Sequence, residues 1–378
     1  MIYADNAATT KLDIDAFEAM KPFLLEEYGN ASQPYSFASS AKRALKKARE
    51  TIANCIGAFP DEIYFTSGGT ESDNWALRGG IRNKSGNIVV SCVEHKAVLN
   101  VCKVLSEEGT EIRYIPVDEY GVIEVDCAKS LIDKQTSIVS VMLANNEVGS
   151  IQPIEELIEA AHTNGALFHT DAVQAVGHIP IDVKKMGIDL LSASAHKFNG
   201  PKGIGFLYVK RGLKIPPYIV GGGQENNLRA GTENVASIVA MAKALEINIL
   251  RLQNFRVKMS EFEKKLLEIL EEAKIDFKVN GSNNKVPGNI SISIKDLEGE
   301  VLLHRLDLQG ICVSTGAACD SKRTQISYVL KEMKVAEEYA FGTIRISLGY
   351  ENTAEDVRTI GEVLVGIINQ GDVCDGKY

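Results

Sequence analysis

The segment IEELIEAAHTNGALFHTDAV (154–173) joins a predicted helix to a predicted strand, and this pairing decides the fold class. Residues 154–165 have apolar side chains at helical spacing and end at Gly165. Residues 166–173 form a short apolar run that breaks into polar residues, which is typical of a buried strand. The segment therefore predicts one helix–strand unit of an α/β sheet.

Further short apolar runs flank this unit on both sides. They are NIVVS (87–91), EIRYIPVD (111–118), SIVSVMLA (137–144), IDLLSASA (188–195) and GIGFLYVK (203–210). A helical pattern at 97–109 separates the first two runs. Strands separated by helices of about a dozen residues predict a mostly parallel sheet with helices on both faces. Binding sites in such sheets lie at the carboxyl ends of the strands.

The pattern changes in the last third of the chain. A long amphipathic segment (233–273) is followed by the strand patterns FKVNG (277–281) and NISISI (289–294) and by a closing helix (353–370). This order predicts a smaller α+β domain. We expect a large domain at residues 12–250 and a small domain formed by residues 1–11 plus 251–378, although no Pro/Gly linker marks the boundary.

Composition restricts the function. The chain has 378 residues, of which 45% are hydrophobic and 24% charged, with a net charge of −9. This charge gives no reason to expect binding to nucleic acid or an anionic membrane. No apolar run approaches the roughly 20 residues that span a bilayer, and MIYADNAATTKLD does not resemble a signal peptide, so we expect a cytoplasmic protein. The seven cysteines contain no CxxC pair, which argues against a disulfide framework and against a zinc site, and we predict no metal.

The stretch FTSGGTESDNWAL (65–77) places small residues between a strand and a helix. Gly68, Gly69 and Thr70 would offer backbone N–H groups and a hydroxyl at a helix N-terminus, which suits a phosphate. The alternative is an ordinary capped helix, in which Thr70 is the N-cap and Asp73 completes a box-like pattern.

A lysine at the end of another predicted strand has unusual neighbours. SASAHKF (192–198) supplies Ser194, His196 and Lys197 together, and a lysine that attacks a carbonyl needs a lowered pKa. Asp171 ends the strand of HTDAVQAVG (169–177), where it is either a helix cap or the partner of a buried cation. His95, in CVEHKAV (92–98), is either structural or part of the same site.

Taken together, these side chains predict a site for pyridoxal 5'-phosphate (PLP). Gly69, Thr70, Ser194 and His196 would hold the phosphate. Asp171 would keep the ring nitrogen protonated, which makes the ring an electron sink, and Lys197 would bond to the aldehyde.

The chain also resembles cysteine desulfurases of the NifS/IscS type, within the class V aminotransferase family. The resemblance runs almost end to end. It is carried, in the order of the family, by YADNAATT (3–10), FTSGGTESDNWAL (65–77), EHKAVL (94–99), NNEVGSIQPI (145–154), HTDAVQAVGHIPID (169–182), SAHKFNGPKGIG (194–205), GGGQENNLRAGTEN (221–234), STGAAC (314–319) and RISLG (345–349). It implies the PLP-dependent transferase fold (fold type I), with a small domain that carries the nucleophile loop and a substrate-binding arginine.

The resemblance implies a role for each matching residue around the cofactor ring. Lys197 corresponds to the lysine that bonds to PLP, Asp171 to the partner of the ring nitrogen, and Gln174 to a hydrogen-bond donor to the ring oxygen. His95 corresponds to the residue stacked on the ring, and Asn146 to an asparagine near the ring oxygen and the substrate.

Other implied roles concern the phosphate, the substrate and a second subunit. Thr70, Ser194 and His196 resemble phosphate ligands, and Thr232 resembles a phosphate contact from a second subunit, which implies a homodimer. Arg345 resembles the clamp for the substrate carboxylate, for which a guanidinium is the best match.

Cys319 differs from the other cysteines because it lies in the small, polar stretch STGAACDSKRTQ (314–325). The family uses this cysteine as a nucleophile on the substrate sulfur, and the nearby Lys322 and Arg323 favour the thiolate. The implied reaction converts L-cysteine to L-alanine, with Lys197 or His95 as the base, and leaves a persulfide on Cys319 for a sulfur-acceptor or scaffold protein, as in iron–sulfur cluster assembly or thiolation. We expect residues 316–325 to be mobile and Cys319 to be the most exposed cysteine.

Three segments depart from the family pattern. They are GNASQPYSFA (29–38), QENNLRAG (224–231) and CDSKRTQIS (319–327). The first two concern the substrate entrance and the dimer contacts, and the third concerns the acceptor. Rival hypotheses are a selenocysteine lyase or another class V PLP enzyme, such as a transaminase, and a non-catalytic scaffold. A transaminase has no use for Cys319, and a scaffold has no chemical use for Lys197, Asp171 and Cys319 together.

Overall fold

The structure is a computed structural model that describes residues 1–315 and 326–371. The strands of this part of the chain are β1 (Ile2–Tyr3), β2 (Ile63–Thr66), β3 (Asn87–Ser91), β4 (Ile112–Ile115), β5 (Thr136–Ser140), β6 (Leu167–Asp171), β7 (Leu190–Ser194), β8 (Gly205–Val209), β9 (Phe277–Asn280), β10 (Asn289–Ile294), β11 (Ile311–Cys312) and β12 (Thr343–Ser347).

The α-helices of the described residues connect or flank these strands. They are α1 (Ile14–Leu25), α2 (Ser39–Ile56), α3 (Gly69–Asn83), α4 (Lys96–Glu107), α5 (Val125–Leu131), α6 (Glu155–Thr163), α7 (Val183–Met186), α8 (Val235–Glu272), α9 (Gly299–Leu308), α10 (Tyr328–Glu332), α11 (Glu337–Ala340) and α12 (Ala354–Gly371).

Seven strands form the large sheet, in the order β2-β8-β7-β6-β5-β3-β4. The pairs β7/β6, β6/β5, β5/β3 and β3/β4 are parallel, whereas β8 is antiparallel to both β7 and β2. The predicted α/β class with a mostly parallel sheet is confirmed. The reversed direction of β8 follows from its short connection to β7, because a parallel partner requires a crossover of a dozen or more residues.

Both faces of the large sheet are covered by apolar side chains. In β3, Val89 belongs to one apolar cluster, and Ile88 and Val90 belong to the cluster on the opposite face, as the two-residue period of a strand requires. All five residues of β3 are buried. This double burial explains why the central strands read as continuous apolar runs rather than alternating patterns.

A second, smaller body of structure is built from β10 between β9 and β12, all antiparallel. Its apolar cluster includes Ile292, Ile344 and Leu364, and α8 contributes Leu266 to it. The N-terminal strand β1 pairs with β11, so the chain start lies beside this part. Helix α8 runs unbroken through residue 250, and the division at that residue stays a prediction.

None of the helices in the described ranges is both long and apolar enough to cross a membrane. The same ranges contain no group of three or more His, Cys, Asp or Glu side chains that could hold a metal ion.

Candidate active site

A cavity of about 550 Å³ opens at the carboxyl ends of β6 and β7. Its volume is that of a typical small-molecule or cofactor site. The predicted site residues that line it are Gly69, Thr70, His95, Asn146, Asp171, Gln174, Ser194, His196, Lys197 and Arg345. The sequence patterns therefore selected residues that the fold brings together, although they are spread over most of the chain.

Two predicted residues are not among those that line this cavity. Thr232 lines a smaller neighbouring cavity of about 220 Å³, which shares Ser67 and Gly203 with the large one. Cys319 lies outside the described residues, as does the segment 316–325 for which we expected mobility.

The N-terminus of α3 forms one wall of the large cavity. Gly68 is the N-cap and has φ 151°, a conformation that favours glycine, and α3 begins at Gly69. A Cβ atom on Gly69 would lie 2.7 Å from Cγ2 of Val173, so a larger residue does not fit there. The capped-helix alternative, with Thr70 as the N-cap, is wrong. The first N–H groups of α3 have no acceptor within the helix, and they can bind an anion.

Asp171 ends β6 and lies buried at the cavity floor. Its Oδ1 accepts a hydrogen bond from the backbone N–H of Val173 at 2.9 Å. Burial raises the pKa of Asp171, while His95, this hydrogen bond and Lys197 act in the opposite direction. A cationic group of a ligand that lies beside Asp171 would therefore be strongly attracted to its buried carboxylate.

Lys197 lies in a single 3₁₀ turn that directly follows β7. Its Nζ donates to the backbone carbonyls of Ala7 and Ala8, at 2.7 and 2.8 Å. The Nε2 of Gln174 donates to the same Ala7 carbonyl at 2.9 Å. The N-terminal segment therefore holds the amine inside the cavity, and our sequence analysis missed this contact because backbone carbonyls leave no signal in residue identity.

Both histidines of the cavity are held neutral. His95 caps α4, and its Nδ1 accepts from the N–H of Ala97 at 3.1 Å, so the proton of the neutral ring lies on Nε2. Burial lowers the pKa of His95 against the attraction of Asp171. Burial, with Lys197 nearby, also lowers the pKa of His196 to about 4. Nδ1 of His196 lies 3.1 Å from Oγ1 of Thr9.

Arg345 projects from β12 into the same cavity and is buried. Its Nη1 donates to the carbonyl of Asn146 at 2.7 Å, and its Nη2 donates to Oδ1 of Asp5 at 2.8 Å. Its Nε, like Oδ1 of Asn146, is buried without a hydrogen-bond partner among the described residues. Because unsatisfied buried polar atoms are costly, this donor and acceptor point to a polar ligand.

Several lining residues were not predicted. The sequence pattern indicates only a capping role for Asp73 and no role for Lys202 of GPKG, yet both residues line the cavity. Met142 and Ser314 also line it. Their residue types are common, and only the way the chain folds back brings them to the site.

The segment around Thr232 is tied to the same loop. Arg229 pairs with Glu71 through Nε and Oε1 at 2.9 Å, and Oε2 of Glu71 accepts from the N–H of Ser67 at 2.7 Å. Upstream, Glu225 pairs with Arg49, and residues 225–227 all have positive φ. Thr232 therefore lies on a segment anchored to the N-terminal region of α3.

Comparisons with known proteins agree with this geometry. Residues 2–360 match the family Aminotransferase class-V. The cysteine desulfurase IscS of Dictyoglomus turgidum is 48% identical over 373 residues, which cover 98% of this chain and 95% of that protein. A solved structure of a NifS-like protein has a TM-score of 0.92 and 38% identity, covering 98% of this chain and 99% of its own.

A further solved structure, of SspA in complex with cysteine, has a TM-score of 0.81 and 33% identity, covering 92% of this chain and 99% of that one. The family match and these similarities extend over almost the whole chain. The chain belongs to the class V aminotransferase family, among its IscS- and NifS-like cysteine desulfurases.

Proposed function

We propose that this chain is a PLP-dependent cysteine desulfurase that converts L-cysteine to L-alanine and transfers the sulfur through Cys319 to an acceptor protein. The observation that carries the proposal is the single cavity that combines Lys197, Asp171 and His95 with Arg345. Relatives named cysteine desulfurase, and a relative solved with cysteine, support the choice of substrate.

The residues of the cavity fit PLP. The phosphate would bind at the N–H groups of Gly69 and Thr70, with Ser194 and His196 opposite. Asp171 would pair with the protonated ring nitrogen, and Gln174 would donate to the ring oxygen. When bound through Lys197, the cofactor supplies an electron sink for the bonds at the α-carbon of the substrate.

The substrate carboxylate would bind to Arg345. The unpartnered Nε and the adjacent Nη provide two parallel donors, which is the arrangement that binds a carboxylate in a bidentate manner. The carbonyl of Asn146 and the carboxylate of Asp5 fix the guanidinium plane before substrate arrives. The free Oδ1 of Asn146 lies in the same cavity and can accept a substrate N–H group.

Two groups of the cavity are candidates for the base that accepts the α-proton of the substrate. His95 is neutral, but its Nδ1 already accepts a hydrogen bond and its Nε2 carries the proton, so it does not offer a free acceptor in this state. Lys197 would offer a free amine whenever it is not bonded to the cofactor. We therefore favour Lys197 as the base and His95 as a proton donor through Nε2.

Cys319 would carry out the sulfur step. Its thiolate attacks the sulfur of the substrate, the S–S bond forms, and the C–S bond breaks with its electrons returning to the β-carbon. Protonation of that carbon gives alanine, and the enzyme holds a persulfide. Lys322 and Arg323 favour the thiolate by their positive charge.

We further propose a homodimer in which Thr232 contacts the phosphate site of the other subunit. The segment before it exposes apolar side chains that a monomer would leave in water, since Val220 is 86% exposed and Ile219 is also exposed. The division into a large domain (12–250) and a small domain is part of the same proposal, as is a cytoplasmic location. Free thiols at all five described cysteines are compatible with a reducing compartment.

One experiment tests the class of reaction. The purified protein loaded with PLP should be yellow, its visible absorbance should change with L-cysteine, and alanine and sulfide should form in equal amounts under reducing conditions. Cys319→Ser should keep the absorbance change but lose sulfide release, and the control Cys312→Ser should behave like the wild type. Full alanine production by Cys319→Ser would refute the desulfurase mechanism, and a protein that binds no PLP would refute the cofactor.

A further inference from the structure

The chain on either side of Cys319 is bonded to segments that line the cavity. On the N-terminal side, the backbone of Ser314 pairs with that of Arg345 in β12: the N–H of Ser314 donates to the Arg345 carbonyl at 3.1 Å, and the N–H of Arg345 donates back at 2.6 Å. On the C-terminal side, the hydroxyl of Ser327 donates to Oε2 of Glu147. Cys319 lies between these two points in the sequence, so the two contacts hold both ends of the chain that carries the proposed nucleophile.

The carboxyl group of Glu147 is itself held in place. Glu147 is 5% exposed and directly follows Asn146, which lines the cavity. The Oδ1 of Asn145 accepts from the backbone N–H of Glu147 at 2.8 Å, and its Nδ2 donates to the Val93 carbonyl at 3.1 Å. Glu147 therefore has a fixed position from which to bind Ser327.

Ser327 connects Glu147 to the start of α10. It is the N-cap of this helix, and its Oγ accepts from the N–H of Val329 at 3.0 Å, which leaves the hydroxyl proton for Glu147. The hydroxyl of the next residue, Tyr328, donates to the Glu94 carbonyl. Val329 is buried in the apolar core of the large sheet. Loss of the Glu147 contact should therefore loosen the first turn of α10 without releasing the helix.

A second role for Glu147, through its charge, is separable from this contact. Burial raises the pKa of Glu147 to about 7, while Ser327, Arg345 and Lys96 lower it. A carboxylate that acted on Arg345 would change the affinity for the substrate carboxylate, whereas the contact with Ser327 needs only an acceptor oxygen. A glutamine keeps an acceptor oxygen and removes the charge, so it distinguishes the two roles.

We propose that Glu147 is a positioning residue for the sulfur step, and that it holds the C-terminal end of the chain that carries Cys319 beside the cavity through Ser327. A reacting group whose chain is held at both ends reaches its target more often than one held at a single end. Glu147 is not among the residues that line the cavity, so it acts through the chain of Cys319. This inference rests on the proposed function, because it assigns Glu147 to the step that Cys319 carries out.

The first test separates the sulfur step from the steps before it. The PLP-loaded protein is mixed rapidly with L-cysteine, the change in visible absorbance is followed, and samples alkylated at the same times are analysed for added sulfur on the Cys319 peptide. Glu147→Ala should slow the gain of sulfur at least tenfold more than it slows the absorbance change. Glu147→Gln should gain sulfur at least fivefold faster than Glu147→Ala, since it keeps an acceptor for Ser327.

Two further variants show whether the contact itself is responsible. Ser327→Ala should also slow the gain of sulfur at least fivefold, and the double variant Glu147→Ala/Ser327→Ala should be at most threefold slower than the slower single variant, because both changes remove one contact. The control is Glu62→Ala. Glu62 is 3% exposed, and its carboxylate accepts from the N–H groups of Phe59 and Arg211, each at 2.7 Å. This variant loses an equally buried carboxylate and should keep both wild-type rates within threefold.

Hydrogen exchange of the cofactor-free protein gives a readout that does not depend on PLP. The N–H groups of Val329 and Lys331 donate to Oγ and to the carbonyl of Ser327. In Glu147→Ala, these amides at the start of α10 should exchange at least fivefold faster than in the wild type, whereas Glu62→Ala should leave their exchange unchanged.

Equal slowing of the absorbance change and of the sulfur gain in Glu147→Ala would overturn the inference, as would equal losses in Glu147→Ala and Glu147→Gln. If Glu147→Ala does not fold, Ser327→Ala and Ser327→Thr decide the question, because threonine keeps the hydroxyl; equal sulfur gain by these two variants would then contradict the proposal. If the wild type binds no PLP or gains no sulfur on Cys319, the proposed function fails. The exchange comparison still tests the contact in that case, and unchanged exchange in Glu147→Ala would show that Glu147 does not hold α10.

Discussion

Replacing Arg345 by lysine should weaken substrate binding while leaving the cofactor site intact. In the structure, the guanidinium uses one Nη for the Asn146 carbonyl and the other for Asp5, and Nε stays available. Arginine has five N–H donors in a rigid plane, whereas lysine has three on one nitrogen. A lysine ammonium can replace the contact with Asp5, but it cannot also present two parallel donors to a carboxylate.

The expected magnitude follows from the number of contacts that are lost. Arg345→Lys keeps the positive charge and removes one charge-assisted hydrogen bond to the substrate, which contributes about 2 kcal/mol. A change of about 2 kcal/mol corresponds to a factor of about 30 in KM for L-cysteine. Because no interaction with PLP is removed, the visible spectrum of the resting protein should not change.

The assay measures alanine formation against L-cysteine concentration, together with the spectrum of the loaded variant. A matched control is Arg358→Lys, since Arg358 is exposed on α12 and pairs with Glu355. The control should keep the KM of the wild type. A KM for Arg345→Lys within threefold of the wild type would refute the assignment of Arg345 as the carboxylate clamp.

Three further predictions concern two cofactor residues and one buried histidine. Lys197→Ala should abolish turnover, and borohydride should no longer fix PLP to the protein; labelling of a wild-type peptide that lacks Lys197 would contradict this. Asp171→Asn should slow removal of the α-proton more than it weakens PLP binding, as a primary isotope effect with deuterated cysteine would report, and unchanged turnover would exclude Asp171 from the mechanism. Burial lowers the pKa of His169 to about 3, against an ordinary value of 6.5. The folded protein therefore loses stability as the pH falls below 6.5, because the unfolded chain binds a proton that the buried ring does not. Between pH 7.5 and pH 5, the free energy of unfolding of the cofactor-free protein should drop by about 2 kcal/mol more than that of His169→Gln. Equal drops in urea unfolding of the two proteins would show that His169 is not held neutral.

Much of the fold was predictable because its central strands are buried on both faces. Continuous apolar runs between helical patterns identified β3, β5, β6 and β7, and their carboxyl ends located Asp171 and Lys197. The direction of β8 was not predictable from its pattern, since a buried antiparallel strand reads like a parallel one. It depends on the short turn through residues 195–204, which reverses the chain instead of crossing over.

The parts of the site that were missed depend on the backbone or on distance in space. The backbone carbonyls of Ala7 and Ala8 bind Lys197, although about half of the sequence separates them from it. Every residue has a backbone carbonyl, so residue types cannot indicate such a contact. Asp73 occupies a helical position that suits a cap equally well, and only the folded chain shows that it lines the cavity together with Asp171. Local patterns cannot report such contacts, because they arise when remote segments pack together.

The proposed function depends on the transfer of sulfur through Cys319, which a mass measurement can detect on the protein itself. The PLP-loaded protein is incubated with L-cysteine, alkylated without reduction, digested and analysed by mass spectrometry. We predict that the peptide containing Cys319 gains the mass of one sulfur atom, while the peptides with Cys92, Cys102 and Cys312 do not. Burial raises the pKa of Cys92 and of Cys102 to about 12, so neither is a thiolate near neutral pH. Alanine formation with no added sulfur on Cys319, or with the sulfur on one of the other cysteines, would contradict the account.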